Sequence, residues 1–419
     1  MDCLKFLSAG ESHGPALSII LDGLPSGIEI LPEDINKNLN RRQKGYGRGK
    51  RMLIETDKAE IIGGIRNGLT LGGPISLLIK NKDYENWQKI MNPVKEENSE
   101  ELIQEKYISG VRPGHADFSG AIKYNQQDIR NILERSSARE TASRVAAGSI
   151  ALKFLKLLGI EIRSHVVQIA DIKINEKFLH LSNIKDFKIV EDNDLRCLDE
   201  DASNKMRKLI DYAKENGETL GGKVQIVAFN VPIGLGSHTQ WDRKLDAMLA
   251  HALISIQAAK AVSFGIGEIN AELLGSQIHD QMQINPCFNP QPPERGLTIQ
   301  VPFSGDLGVR YEHITNNAGG IEGGMSNGEP IVCNVSFKPI PTLPRDKNNA
   351  LKSIDLGKKE NMPSFYERSD ICVVPAAGVV CESMIALVLA DQIIKKFGSD
   401  SLIELRNNFY SYLEYCKNR

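Results

Sequence analysis

Two stretches of this 419-residue chain repeat each other, and that repeat limits the fold more than any other feature. Residues 63–82 and 319–338 align without a gap. Gly63, Gly64, Ile65, Gly68, Gly72, Pro74, Ile75 and Lys82 match Gly319, Gly320, Ile321, Gly324, Gly328, Pro330, Ile331 and Lys338. Each stretch is a glycine-rich turn feeding a strand. The pattern predicts an internal duplication, with two halves of like topology. A chain of this length can bury a sizeable core as one large domain or as two intertwined halves.

Other elements read directly. Residues 16–21 are a strand, followed by the turn signals Asp22-Gly23 and Pro25-Ser26-Gly27. Leu31-Pro32-Glu33-Asp34 opens a helix that runs toward Arg41 and ends before Gly45. Ser136 and Ser137 are expected to cap a long helix reaching Leu158, with Gly159 closing it. Residues 223–231 alternate as a strand. Asp242–Val262 reads as one amphipathic helix, its apolar side made of Leu245, Met248, Leu249, Ala252, Leu253 and Ile256. The prolines of residues 338–344 keep that segment extended. Pro375–Phe397 is a last apolar helix, stopped by Gly398. Residues 83–106, with Trp87, read as a surface excursion. Residues 170–222 read as a peripheral insertion without chemistry, periodic only over Lys205–Lys214.

Hydrophobic content of 41% and charged content of 25% are those of a soluble globular protein. A net charge of −2 gives no general attraction to nucleic acid or anionic membrane. Any anion site must come from local clustering. The seven cysteines are odd in number and lack C-x-x-C spacing, so they read as reduced thiols of a cytoplasmic protein, with no disulfide framework or zinc site. No secretory segment is expected, and Asp391 interrupts the most apolar run.

Four stretches carry candidate chemistry. Residues 10–14, Gly-Glu-Ser-His-Gly, set His13 in a turn, and histidine suits proton transfer near neutrality. Residues 41–51 hold six basic residues, three glycines and no acid. Arg42, Arg48 and Arg51 could grip a phosphate or carboxylate there. Nucleic acid is the rival ligand, but a single short patch with only Tyr46 for stacking is thin support. Arg112-Pro113-Gly114-His115-Ala116-Asp117 places a second arginine and histidine in a turn. Arg135 and Arg139 flank the serines of Arg-Ser-Ser-Ala-Arg-Glu-Thr, where a helix start favours an anion. His238 and His251 read as packing or surface residues. Arg368 and Asp370 stand just before the last helix.

Gly-Glu-Ser-His-Gly at 10–14, Arg-Pro-Gly-His-Ala-Asp at 112–117, Arg-Ser-Ser-Ala-Arg-Glu-Thr at 135–141 and Arg-Ser-Asp at 368–370 together resemble chorismate synthase. So do Gly-Gly-Ile-Glu-Gly-Gly at 319 and Lys-Pro-Ile-Pro-Thr at 338. The resemblance covers nearly the whole chain apart from 170–222. It implies an α+β fold, a β-α-β sandwich of two pseudo-twofold halves in one domain spanning 1–419, and a homotetramer. It implies a lyase that removes phosphate from 5-enolpyruvylshikimate 3-phosphate by 1,4-elimination, giving chorismate for aromatic amino acid synthesis. Reduced FMN is the implied cofactor, reduced either by NADPH on the protein itself or by a separate flavin reductase. Nucleic acid and membrane are not implied partners, and no metal is.

Residue by residue, the resemblance makes His13 the acid for the leaving phosphate, His115 the partner of the reduced flavin near N1 and the C2 carbonyl, and Asp370 the base acting with flavin N5. It places Arg135, Ser136, Ser137, Gln257, Ala258, Gly323, Lys338, Pro339, Ile340, Pro341, Thr342 and Arg368 at FMN. Arg42, Arg48, Arg112, Arg139 and Arg368 fall to the polyanionic substrate, Arg42 and Arg48 alternatively to NADP. There is no Gly-x-Gly-x-x-Gly fingerprint after a strand. A flavin oxidoreductase, which consumes reduced flavin, is the rival enzyme class.

Overall fold

The chain begins with strand β1 (Lys5–Ala9), turns through residues 10–14 and returns as β2 (Ala16–Asp22), with Leu7 opposite Ile20. Along β2, Leu17, Ile19 and Leu21 are buried while Ser18 and Ile20 face outward, the period of two of a half-buried strand. Helix α1 (Pro32–Gln43) follows, with Pro32, Glu33 and Asp34 in its first turn as the sequence predicts. β3 (Ala59–Gly63) and β4 (Ile75–Lys80) complete an antiparallel sheet of order β1-β2-β4-β3. The computed structural model describes residues 2–49, 56–94, 100–179, 187–284, 311–345, 349–367 and 370–419.

The long helix expected from Ser136 is split. Helix α2 (Arg130–Ser136) ends at Ser136, whose hydroxyl donates back to the Ile132 carbonyl at 2.8 Å. Ser137 leaves the helical region, at φ −59° and ψ 142°, and caps a short 3-10 turn, Ala138–Glu140. Helix α3 (Thr141–Lys156) starts only after it.

The second half repeats the first. It contains β5 (Glu161–Ile169), β6 (Ile172–Lys173), α4 (Glu200–Glu215), β7 (Gly222–Phe229), α5 (Leu245–Ile254), β8 (Ala259–Phe264) and β9 (Ile331–Phe337). Its sheet order is β8-β9-β7-β5-β6. Without β6, β5-β7-β9-β8 reproduces β1-β2-β4-β3. The small hairpins Ile65–Thr70 and Ile321–Ser326 precede β4 and β9 at equivalent points. Their anchoring is repeated bond for bond. Thr70 Oγ1 donates to the Pro25 carbonyl at 2.7 Å and accepts from Ile28 N at 2.9 Å. Ser326 Oγ donates to the Pro232 carbonyl at 2.6 Å and accepts from Leu235 N at 2.8 Å. Gly64 and Gly320 have φ of 84° and 77°, and a Cβ on either would strike the carbonyl of Pro74 or Pro330. The aligned glycines are therefore a shared backbone requirement.

Helix α6 (Val374–Phe397) lies against α3 at the centre, and α1, α3, α5 and α6 form a layer between the two sheets. Among the described residues, α6 is the one helix long and apolar enough to cross a membrane, and its apolar window is wholly buried in protein. Asp391, which interrupts that run, accepts from the amides of Cys3 and Leu4 at 2.9 and 2.8 Å, tying the chain start to α6.

Two further sequence expectations change. Asp242–Val262 is not one helix. A 3-10 turn (Trp241–Arg243) precedes α5, and at Ala258, with φ 67°, the chain turns into β8. Short apolar runs fit either period, so this strand was hidden in the helical pattern. Residues 170–222 are not merely peripheral: Leu195, Cys197, Met206 and Ile210 join the main core. His238 and His251 are exposed. Cys287 lies outside the described residues, and the other six cysteines are free.

Candidate active site

Gly10, at φ 108°, turns the 10–14 loop off β1 and brings His13 over α2. Both oxygens of Glu134 engage His13: Oε2 accepts the His13 amide at 2.8 Å, and Oε1 lies 2.8 Å from Nδ1. The ring stacks on Trp87, with centroids 4.2 Å apart and planes at 27°. Nε2 lies 4.0 Å from Asp83. Burial disfavours charge on Glu134, but the bonds from His13 and the nearby Arg130 outweigh it and hold its carboxyl below its ordinary value. Trp87, expected in a surface excursion, is thus part of the histidine seat.

The arginines converge from several elements. Arg42, in the last turn of α1, is buried and donates to Thr141 Oγ1, the Ala138 carbonyl and Asp57 at 2.9, 3.0 and 3.4 Å. Arg139 donates to Asn81 at 2.9 Å and to the other oxygen of Asp57 at 2.5 Å. Two guanidinium groups therefore share one buried carboxylate. Burial lowers Arg42 to about 10, and Arg48 and Arg139 push the same way against Asp57. It stays charged at neutral pH. Arg48 pairs with Asp370 at 3.0 Å, and the same carboxylate accepts from Gly49 N at 2.6 Å. Tyr46 anchors this arginine loop to the 170–222 segment, its amide on Asp194 O at 3.0 Å and its hydroxyl on Asp211 at 2.8 Å.

In the second histidine turn, Arg112 Nε and Nη2 donate to Asp117 at 2.8 and 3.0 Å, and His115 Nδ1 lies 2.5 Å from the same carboxylate. Burial works against the Asp117 charge, but the bonds from His115 and Arg112 hold its carboxyl at about 2. Lys338 closes the turn from outside, its amine on the Gly114 carbonyl at 2.5 Å and its amide on Ala258 O at 2.9 Å. Burial, then the charge of Lys260, lowers Lys338.

One cavity of about 1050 Å³ gathers these groups. That is at the upper end of the roughly 300–1,000 Å³ usual for ligand pockets, with room for more than one small molecule. His13, His115, Asp370, Arg42, Arg48, Arg112, Arg139, Ser136, Ser137, Gln257, Ala258, Lys338, Ile340, Pro341 and Thr342 all line it. Arg135 does not; its guanidinium donates to the carbonyls of Ser8 and Gly10 at 2.8 and 3.0 Å. Pro339 and Gly323 do not line it either, and Gly323 sits at the tip of the Ile321–Ser326 hairpin. Arg368 and Arg51 lie outside the described residues.

Sequence reasoning missed Asp57, Glu134 and Trp87, and the cavity-lining Lys214 and Lys260. Glu134 is adjacent to a motif that was read, yet nothing in its neighbourhood points to His13. Asp57 stands in an unremarked Thr-Asp-Lys, and its partners come from α1 and the 3-10 turn.

The family model described as chorismate synthase matches residues 4–394. The chain is 47% identical over 414 residues to the chorismate synthase of Geobacter sulfurreducens, covering 99% of both chains. It is 45% identical over 415 residues to chorismate synthase 1 of Bacillus cereus, covering 99% of this chain and 100% of that one. A crystal structure of a chorismate synthase matches with a TM-score of 0.74 and 37% identity, covering 99% of each chain. With sequence likeness and fold agreeing over the whole length, the chain belongs to the chorismate synthase family of carbon–oxygen lyases acting on phosphates.

Proposed function

We propose that the cavity holds reduced FMN beside 5-enolpyruvylshikimate 3-phosphate and that phosphate leaves by 1,4-elimination to give chorismate. One observation carries this reading: seven lysine and arginine side chains against two acids around a single cavity. A substrate with a phosphate and two carboxylates needs such an excess, which the chain as a whole, at net charge −2, does not provide. The residues also fit a flavin mononucleotide. Ile256, Ala258, Ile340 and Pro341 offer apolar wall to a ring system, and Ser136, Ser137, Thr342 and Lys338 offer polar groups to a ribityl phosphate.

The chemistry that reduced FMN supplies when bound is transient electron donation, with no net redox change. The chain's own residues do the rest. Arg42 and Arg139 share one counter-charge, Asp57, and so retain positive charge for a substrate anion. Arg48 and Arg112 hold further anionic groups. His13 gives a proton to the leaving phosphate oxygen, which departs with the carbon–oxygen bonding pair. Asp370 receives the ring proton. A substrate group that draws Arg48 away would break the ion pair that now occupies the Asp370 carboxylate. His115, fixed by Asp117, stands on the flavin side.

Arg42 and Arg48 are read as substrate ligands in preference to NADP ligands. The protein is proposed to work in the cytoplasm as a homotetramer. Leu7, Ile20 and Ile62, exposed on the first sheet, are apolar residues that such an assembly could cover.

Paired substitutions test the division of the cavity. Arg48→Ala should raise the KM for substrate about 10- to 100-fold, the loss of one charge-assisted contact, and leave FMN affinity within twofold. Lys338→Ala should do the reverse. Equal weakening of both ligands by both variants would refute this arrangement.

A further inference from the structure

We propose that Glu134 is a positioning residue of the reaction: it fixes the proton on His13 Nδ1, so that Nε2 is the nitrogen that exchanges a proton with the leaving group. This rests on the reading of His13 as the acid.

Glu134 is almost wholly buried, with a side-chain exposure of 2%, and both of its oxygens engage His13. Oε2 pins the main chain of His13, and Oε1 faces Nδ1 at 2.8 Å. A carboxylate only accepts, so the hydrogen in that second bond must sit on Nδ1. The neutral ring then carries its lone pair on Nε2, and the protonated ring carries its second hydrogen there. Trp87 covers one ring face, and Arg130 lies over the Trp87 ring at 4.9 Å while reaching Glu134 Oε1 at 3.4 Å. A half-turn of the ring would break the Nδ1 bond, and a tilt would break the stack.

The proton step balances without change at Glu134. The carbon–oxygen bond breaks and its electron pair leaves with phosphate. The Nε2–H bond breaks, and an O–H bond forms on the phosphate oxygen. The ring is left neutral as the Nδ1–H tautomer, still bonded to the carboxylate. Glu134 thus accepts the same Nδ1–H bond before and after the proton leaves Nε2.

Glu134→Gln separates this role from simple tethering. Its carbonyl can still accept the His13 amide, but its NH₂ can only donate to Nδ1, which moves the neutral ring to the Nε2–H tautomer. The variant is expected to lose about 10²- to 10⁴-fold in kcat, by analogy with a carboxylate removed from a histidine in an acid–base unit, while substrate KM and FMN affinity stay within twofold. Two-dimensional ¹⁵N spectra of histidine-labelled protein should show His13 changing tautomer. In a His13→Ala background, Glu134→Gln should cost nothing further. Near-normal kcat in Glu134→Gln with an inactive His13→Ala, or an unchanged tautomer, would overturn the role of Glu134 alone. An active His13→Ala would overturn the reading of His13 as well.

Discussion

Replacing Asp57 by asparagine should expose how the anion site is balanced. The Asp57 side chain is fully buried, and its partners are nearly so, Arg42 at 5% and Arg139 at 4% side-chain exposure. Asparagine keeps the shape and one acceptor but removes the charge of the carboxylate that both guanidinium groups contact. Breaking a buried pair by removing one charge costs about 3–5 kcal/mol. Arg42 and Arg139 keep their bonds to Thr141, Ala138 and Asn81, so the lower end, about 3 kcal/mol, is expected. The assay is urea unfolding followed by tryptophan fluorescence in low-salt, phosphate-free buffer, then with inorganic phosphate added. The variant should be less stable without phosphate and should recover more than the wild type when it is added, because an anion then supplies the missing charge. Stability within about 0.5 kcal/mol of wild type in the first buffer would refute the reasoning.

Two further perturbations probe the frame that carries the site. His165 is fully buried on β5 with Nε2 3.0 Å from Gln225 Oε1, and burial lowers it to about 4. Between pH 6.5 and 4 the unfolded chain therefore binds more protons, so stability falls as pH falls through that window, by about 3 kcal/mol from this group; His165→Gln should flatten the slope in acid unfolding curves. At the crossing of α3 and α6, a Cβ on Gly148 would collide with the backbone and Cβ of Ser383. Gly148→Val should cost about 1–3 kcal/mol in denaturant unfolding, whereas Gly63→Ala, which meets nothing within 4 Å, should change little.

Features dictated by local backbone geometry were legible in the sequence. Gly64 and Gly320 must take positive φ beside Pro74 and Pro330, so the duplication showed as matched residues. Pro32 with its acids marked the start of α1, and Gly398 the end of α6. Boundaries that depend on tertiary packing were not legible. The break at Ser137 seats Ser12 against α2, with Ser137 Oγ 3.2 Å from Ser12 Oγ, and no propensity signals it. The turn at Ala258 uses a positive φ without glycine. Within the site, the cavity-lining His13, Arg48, Arg112 and His115 stand in distinctive turns. Those that hold them do not: Glu134 lies 121 positions from His13, and Asp57 lies 82 from Arg139. A buried carboxylate that pairs at such distance leaves no periodic trace. Trp87 reads as a surface residue because its neighbours are charged, yet those neighbours include Asp83, which faces His13.

The central claim is a lyase that needs reduced flavin without consuming it. The direct measurement is an anaerobic time course with purified protein, 5-enolpyruvylshikimate 3-phosphate in large excess and chemically reduced FMN, following chorismate, phosphate and flavin absorbance together. The account expects equal amounts of chorismate and phosphate over many turnovers per flavin, with the flavin still reduced at the end and no product with oxidised FMN alone. Flavin oxidised in proportion to product, or no chorismate under reducing conditions, would contradict it.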